Sequence, residues 1–191
     1  MKTFKYQLVL ILMFAGLLGI NFQASSQDFT NNQKLTRKEK KEADRAYMIA
    51  NFKAIDTLLQ NKTYVLEAEY LQNRLGDQIP VARNINFIRV NSDQVILQTG
   101  NNFGSGYNGV GGVTAEGTLN SYRVTSDEKK LNHTVFFSTT TQIGTYDIIL
   151  RIDADAHATA TITGFSRGSL TYRGNLVALY NSRVFKGRNS L

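Results

Sequence analysis

Strand-forming runs broken by turn signals occupy the chain from Thr63 to about Tyr180, and that spacing restricts the fold more than any other feature. Tyr64–Tyr70, Asn84–Asn91, Gln94–Thr99, Thr118–Thr125, His133–Thr141, Thr145–Ile152, His157–Thr163 and Ser169–Arg173 carry the β-branched and aromatic residues. The last is open to continuation through Gly174 to Tyr180. Asn91-Ser92-Asp93, Ser126–Lys130, Gln142-Ile143-Gly144, Asp153-Ala154-Asp155-Ala156 and Gly164–Gly168 read as the turns between them. Short strands with a turn every eight to twelve residues predict a mainly β domain. Its form is a single antiparallel barrel or sandwich of about eight strands. Tyr146, Ile148, Leu150 and Ile152 alternate with Asp147, Ile149 and Arg151, so the first set should face a core. Fifteen glycines and one proline in 191 residues suit such a turn-rich chain.

Ahead of the strands lies a different pattern. Thr36 followed by Glu39 forms a capping box, which predicts one amphipathic helix running to about Gln60 or Asn61. At 100° per residue it has two apolar stripes. Met48, Phe52, Ile55 and Leu59 make a bulky stripe suited to docking on a sheet. Ala43, Ala46, Tyr47, Ala50, Ala54 and Leu58 make a smaller one that permits close approach of a loop or a second chain.

The first 26 residues read as a secretory signal peptide. Lys2 and Lys5 supply positive charge, Leu8–Ile20 an apolar core, and Ala24-Ser25-Ser26 the small residues of a cleavage site before Gln27. The apolar run of about thirteen residues falls short of a spanning helix, and no later segment is longer, so the mature chain carries no transmembrane segment. There is no cysteine, which excludes disulfides, thiolate metal sites, cysteine nucleophiles and a lipobox anchor. The expected location is therefore periplasmic or secreted. Residues 27–35 read as a flexible leader, 36–182 as the helix and β domain, and 183–191 as a loose basic tail. After cleavage 20 basic and 15 acidic side chains remain, net +5, with eight of the basic groups in residues 34–62. Such a run reads first as a solvated helix start; as a binding surface outside the cytoplasm it would meet lipid headgroups, lipopolysaccharide phosphates or acidic glycans and not nucleic acid.

Gly104-Ser105-Gly106-Tyr107-Asn108-Gly109 matches the dinucleotide fingerprint G-x-G-x-x-G letter for letter. The glycines that follow prevent the helix whose N-terminus would hold a pyrophosphate, and no βαβ unit surrounds them. No cofactor is expected. The stretch Gly100–Gly117, with seven glycines, reads as a bulged connection over one end of the sheet. If the chain binds a ligand, its amides and rings are the candidates: Asn101, Asn102, Phe103, Tyr107 and Asn108.

Catalytic and metal chemistry find little support. His133 and His157 lack a second histidine at ligand spacing and read as packing or surface residues. Asp153 and Asp155 lack the glycine and distal glutamate of a calcium loop, so no metal is expected. Glu67 and Glu69 share a strand face and are the one carboxylate pair that a hydrolase of envelope polymers could use. No G-x-S-x-G elbow is present. An outer-membrane barrel of this size would carry aromatic girdles and clean alternation. This chain has no Trp, and Val95-Ile96-Leu97 and Val135-Phe136-Phe137 are apolar on both faces.

Val95–Gly100, Gly106–Thr114, Gly144–Ile148 and Ala158–Ile162 together resemble a secreted Bacteroidetes family, domain of unknown function 4251. The resemblance spans about residues 36–182, with the glycine-rich run its specific part. It implies export and a mostly β domain. It implies no activity and no functional residues. The expected function is thus a non-catalytic module binding a small envelope ligand or a protein partner. A carboxylate hydrolase and a scaffold dimerising through the alanine stripe are the alternatives.

Overall fold

The computed structural model describes residues 36–101, 106, 108–164 and 168–190. Helix α1 (Arg37–Gln60) starts immediately after Thr36, where the capping box placed it. Lys62, at positive φ, turns the chain into the first of the nine strands found among the described residues. These are β1 (Thr63–Gln72), β2 (Gln78–Pro80), β3 (Phe87–Asn91), β4 (Gln94–Gln98), β5 (Thr114–Asp127), β6 (Asn132–Thr141), β7 (Gly144–Asp153), β8 (His157–Gly164) and β9 (Ser169–Ala178).

Every neighbouring pair is antiparallel, and β9 returns to pair with β1, so eight strands close into an up-and-down barrel. Closure decides between the two architectures left open by the sequence. The ninth strand, β2, is an addition on the outer half of β1. It was not foreseen: three exposed residues ending in proline read as loop. Asn73 creates it by accepting the N–H groups of Leu75 and Asp77 on its side-chain oxygen, 2.9 and 3.0 Å, and so folding the tip back.

Alternation sorts the residues as expected. Val135 and Phe137 of β6, Ile148, Leu150 and Ile152 of β7, and Ala158, Ala160 and Ile162 of β8 fill the interior. Their neighbours Thr134, Arg151 and Thr159 face out. An apolar lumen and a polar wall are the reverse of a membrane-spanning barrel. Bulges interrupt β1 between Ala68 and Tyr70 and β5 between Leu119 and Ser121. Opposite the first sits Gly174, where a Cβ would lie 2.0 Å from the Glu67 carbonyl oxygen. Only glycine lets β9 approach β1 there.

The helix lends its bulky stripe to one end of the barrel. Phe52, Ile55 and Leu59 are buried, and Ile55 and Leu59 join the interior cluster. The four alanines and Tyr47 of the second stripe are exposed, Tyr47 64% accessible, while Leu58 at its end packs against the interior cluster. The opposite end has no helix among the described residues and carries the long connection from β4 to β5.

The C-terminal segment is not loose. After a 3₁₀ turn at Leu179–Asn181, Val184 covers the outer-wall cluster of Val65, Phe87 and Ile96. Backbone N–H groups of Phe185, Arg188 and Ser190 then donate to the carbonyls of Asn84, Asn108 and Thr114. Gln98 on β4, fully buried, receives the Gly187 N–H at 2.8 Å and donates to the Phe185 carbonyl at 2.9 Å. Lys186 and Asn189 both reach Glu116. The segment is a strap across β4 and β5.

Candidate functional site

At the end away from the helix, the interior residues of five strands do not meet in the middle. Leu97 of β4, Ala115 of β5, Tyr146 of β7, Ile162 of β8 and Leu170 and Tyr172 of β9 surround a recess of about 330 Å³. Ile143, Thr99, Val113 and Ser169 border it. Eight-stranded barrels have just enough width to be filled by side chains or to hold one small molecule. Here the lining is small or glycine at Ala115, Gly164 and Gly168, which leaves the space. The Tyr172 hydroxyl donates to the Gln98 carbonyl at 3.2 Å, and burial pushes its pKa far up, so it stays neutral. The recess is therefore uncharged and mostly apolar.

The glycine-rich connection springs from the rim. Thr99 and Val113 exchange backbone hydrogen bonds, 2.9 and 3.2 Å, and close its base. Asn108 is buried, and its amide is fully engaged. It donates to the Thr99 carbonyl and the Thr114 hydroxyl and accepts from the N–H groups of Val110 and Gly112. It shapes the connection and has no capacity left for a ligand. Asn101 is exposed, its N–H donating to the Val110 carbonyl at 2.7 Å. Gly111, at φ +78°, faces it so closely that a Cβ would fall 1.9 Å from the Asn101 Oδ1. Asn102, Phe103 and Tyr107 lie outside the described residues.

The other candidates separate. Glu67 accepts the Ser182 hydroxyl at 2.6 Å. Glu69, at the bulge, accepts from Asn175 and pairs with Arg83 at 3.4 Å. Only Glu69 borders the polar groove on the outer wall, so the two carboxylates do not form one acid–base pair. His157 is exposed and bonds Asn175 through Nδ1 at 2.7 Å. No group of three or more His, Cys, Asp or Glu side chains suited to a metal comes together among the described residues.

His133 is fully buried at the helix end. Its Nε2 lies 3.0 Å from the Phe52 carbonyl, which can only accept, so Nε2 carries the proton. Nδ1 then accepts the Ser126 hydroxyl at 2.8 Å, with Asp56 3.8 Å away. The ring stacks on Phe52 with centroids 4.2 Å apart. Serine, histidine and aspartate meet here, but the aspartate is not on the nitrogen opposite the serine, as a triad requires. The cluster clamps the helix to β6. Beside it, the Tyr122 hydroxyl donates to the Leu59 carbonyl at 2.9 Å.

Sequence reasoning did not single out the recess residues, because inward-facing Leu97, Ala115, Ile162 and Tyr172 have the pattern of any barrel core. The one available signal was the cluster of small residues on adjoining strand ends.

Fold and site together define a small up-and-down β barrel, helix-closed at one end and recessed at the other. The family profile described as domain of unknown function 4251 matches residues 46–176, and the chain belongs to that family. The crystal structure of a DUF4251 family protein from Bacteroides eggerthii is similar, with 31% sequence identity and a TM-score of 0.61. The match covers 76% of this chain and 99% of that one. No curated protein matches. No helix among the described residues is long and apolar enough to cross a membrane.

Proposed function

We propose that the protein is an exported, non-catalytic binding module that takes a small apolar molecule into the open end of its barrel. The observation that carries this reading is the recess of about 330 Å³ between Leu97, Ala115, Tyr146, Ile162 and Tyr172. Pockets of roughly 300 Å³ and upward, apolar with few polar groups, are the usual form of small-molecule sites, barrel mouths among them. The division of Glu67 from Glu69 weighs on the same side. Thr99 and Val113, which flank the glycine-rich connection, border the recess, and we propose Asn101, Asn102, Phe103 and Tyr107 of that connection as ligand contacts. Asn108 holds the rim's shape. Export rests on Lys2, Lys5, the Leu8–Ile20 run and Ala24-Ser25-Ser26.

Titration with N-phenyl-1-naphthylamine, whose emission rises in apolar surroundings, tests the binding. The chain has no Trp, so an introduced one is a clean obstruction. Wild type should give saturable enhancement, and Leu170→Trp should weaken it at least about tenfold, ~1.4 kcal/mol. Val113→Trp at the exposed rim serves if Leu170→Trp melts early. Absence of enhancement, or equal enhancement in both variants, overturns the reading. For export, mass spectrometry of the envelope fraction should find a chain beginning at Gln27. An intact precursor in the cytosol would contradict it.

A further inference from the structure

We propose a second site on the outer wall of the barrel, built on Arg151 and Arg173 and selective for acidic oligosaccharides. Among the described residues, four arginines lie on strands. Arg89 bonds Gln94 and Arg123 stacks on Phe136, whereas Arg151 and Arg173 are exposed and have no partner among the described residues.

Register sets them in one row. Arg151 pairs with Thr159, Thr159 with Arg173, and Arg173 with Tyr70. Neighbouring strands are about 4.8 Å apart, so the two arginine backbones stand about 10 Å from each other, with a hydroxyl between them. That separation matches charges on alternate residues of an extended sugar chain. Guanidinium groups bind carboxylate and sulfate bidentately, and Tyr70, 41% exposed, offers a ring against which a sugar can stack.

The row floors a groove of about 720 Å³. Its other charges are mostly spent. Lys130 pairs with Asp127 at 3.8 Å, and Arg83 with Glu69 at 3.4 Å. His157 is bonded to Asn175. Arg83 stands outside the lining and offsets Glu69 from there, so Asp153 is the one carboxylate left against the two unpartnered guanidiniums, an excess of one positive charge. The groove runs along the side of the barrel, apart from the recess at its end.

Calorimetric titration of the full chain with a galacturonic acid hexasaccharide and with a heparin-derived hexasaccharide tests the site. Saturable binding of either acid is expected, the two arms separating carboxylate from sulfate chemistry, with maltohexaose inert. The double variant Arg151→Gln/Arg173→Gln should lose at least about tenfold in affinity. It should keep its naphthylamine titration unchanged, which also reports that it is folded. Lys38→Gln/Lys40→Gln/Lys41→Gln on the helix should bind like wild type. Failure of both acids to bind, undiminished binding by the arginine variant, loss in the helix variant or equal binding of maltohexaose would each overturn the proposal.

Discussion

Gln98 commits its whole side chain. Nε2 donates to the carbonyls of Ile85 and Phe185, and Oε1 accepts from the Thr114 hydroxyl and the Gly187 N–H. Replacing it with leucine leaves several buried polar groups unpaired, at about 1–3 kcal/mol for each that water cannot reach. We expect Gln98→Leu to lose ~2–4 kcal/mol in urea unfolding. Asn120→Ala, which removes a bond to Thr140 on the exposed face of β5, should stay within about 0.5 kcal/mol. Two tyrosines at the helix end make a second residue-scale prediction. Burial pushes the Tyr122 hydroxyl up from its ordinary value of 10 to about 12, and burial together with Tyr122 raises Tyr64 well above 10. The folded chain therefore holds these protons after the unfolded chain has released them. Their contribution is complete below pH 10 and declines as pH climbs from 10 toward 12 and beyond. Alkaline melts of Tyr122→Phe should show a shallower loss over that window than wild type.

At the scale of elements, the helix is held by one face and the strap by its backbone. Phe52→Ala removes the stack on His133 and opens a cavity at the barrel end. It should cost ~3–4 kcal/mol in denaturant unfolding. The strap has an acid-sensitive anchor. Hydrogen bonds from Lys186 and Asn189 hold the Glu116 carboxyl below its usual 4.5. A lowered carboxylate stabilises the folded form above its unfolded value and loses that effect as pH falls through the lowered one. Hydrogen exchange at the amides of Gly187, Arg188 and Ser190 should accelerate in that acid range, with barrel amides unchanged. The helix and eight barrel strands were legible because capping and alternation are local signals. Pro80 hid β2, whose pairing rests on the Asn73 turn. The strap was hidden because Gly187 finds Gln98 across 89 positions of sequence, and its basic residues carry no periodicity. Closure of β9 on β1 was equally non-local, and so the choice of barrel over sandwich was not legible.

For the whole molecule, the asymmetry between the two ends is the functional claim. One end is stopped by Phe52, Ile55 and Leu59; the other narrows onto small residues and stays unfilled. Only part of this was readable beforehand. The glycine-rich connection springs from the end of the barrel that holds the recess, but Asn108 is its internal brace, and the lining residues looked like ordinary core. The most direct measurement is a set of intermolecular nuclear Overhauser effects between dodecanoate and the methyl groups of the labelled protein. Contacts to Leu97, Ile143, Ile162 and Leu170, with none to Ile55 or Leu59 at the helix end, are predicted. Contacts confined to Leu75 and Ile79 on the outer hairpin, or no contacts at millimolar ligand, would contradict a binding site inside the mouth.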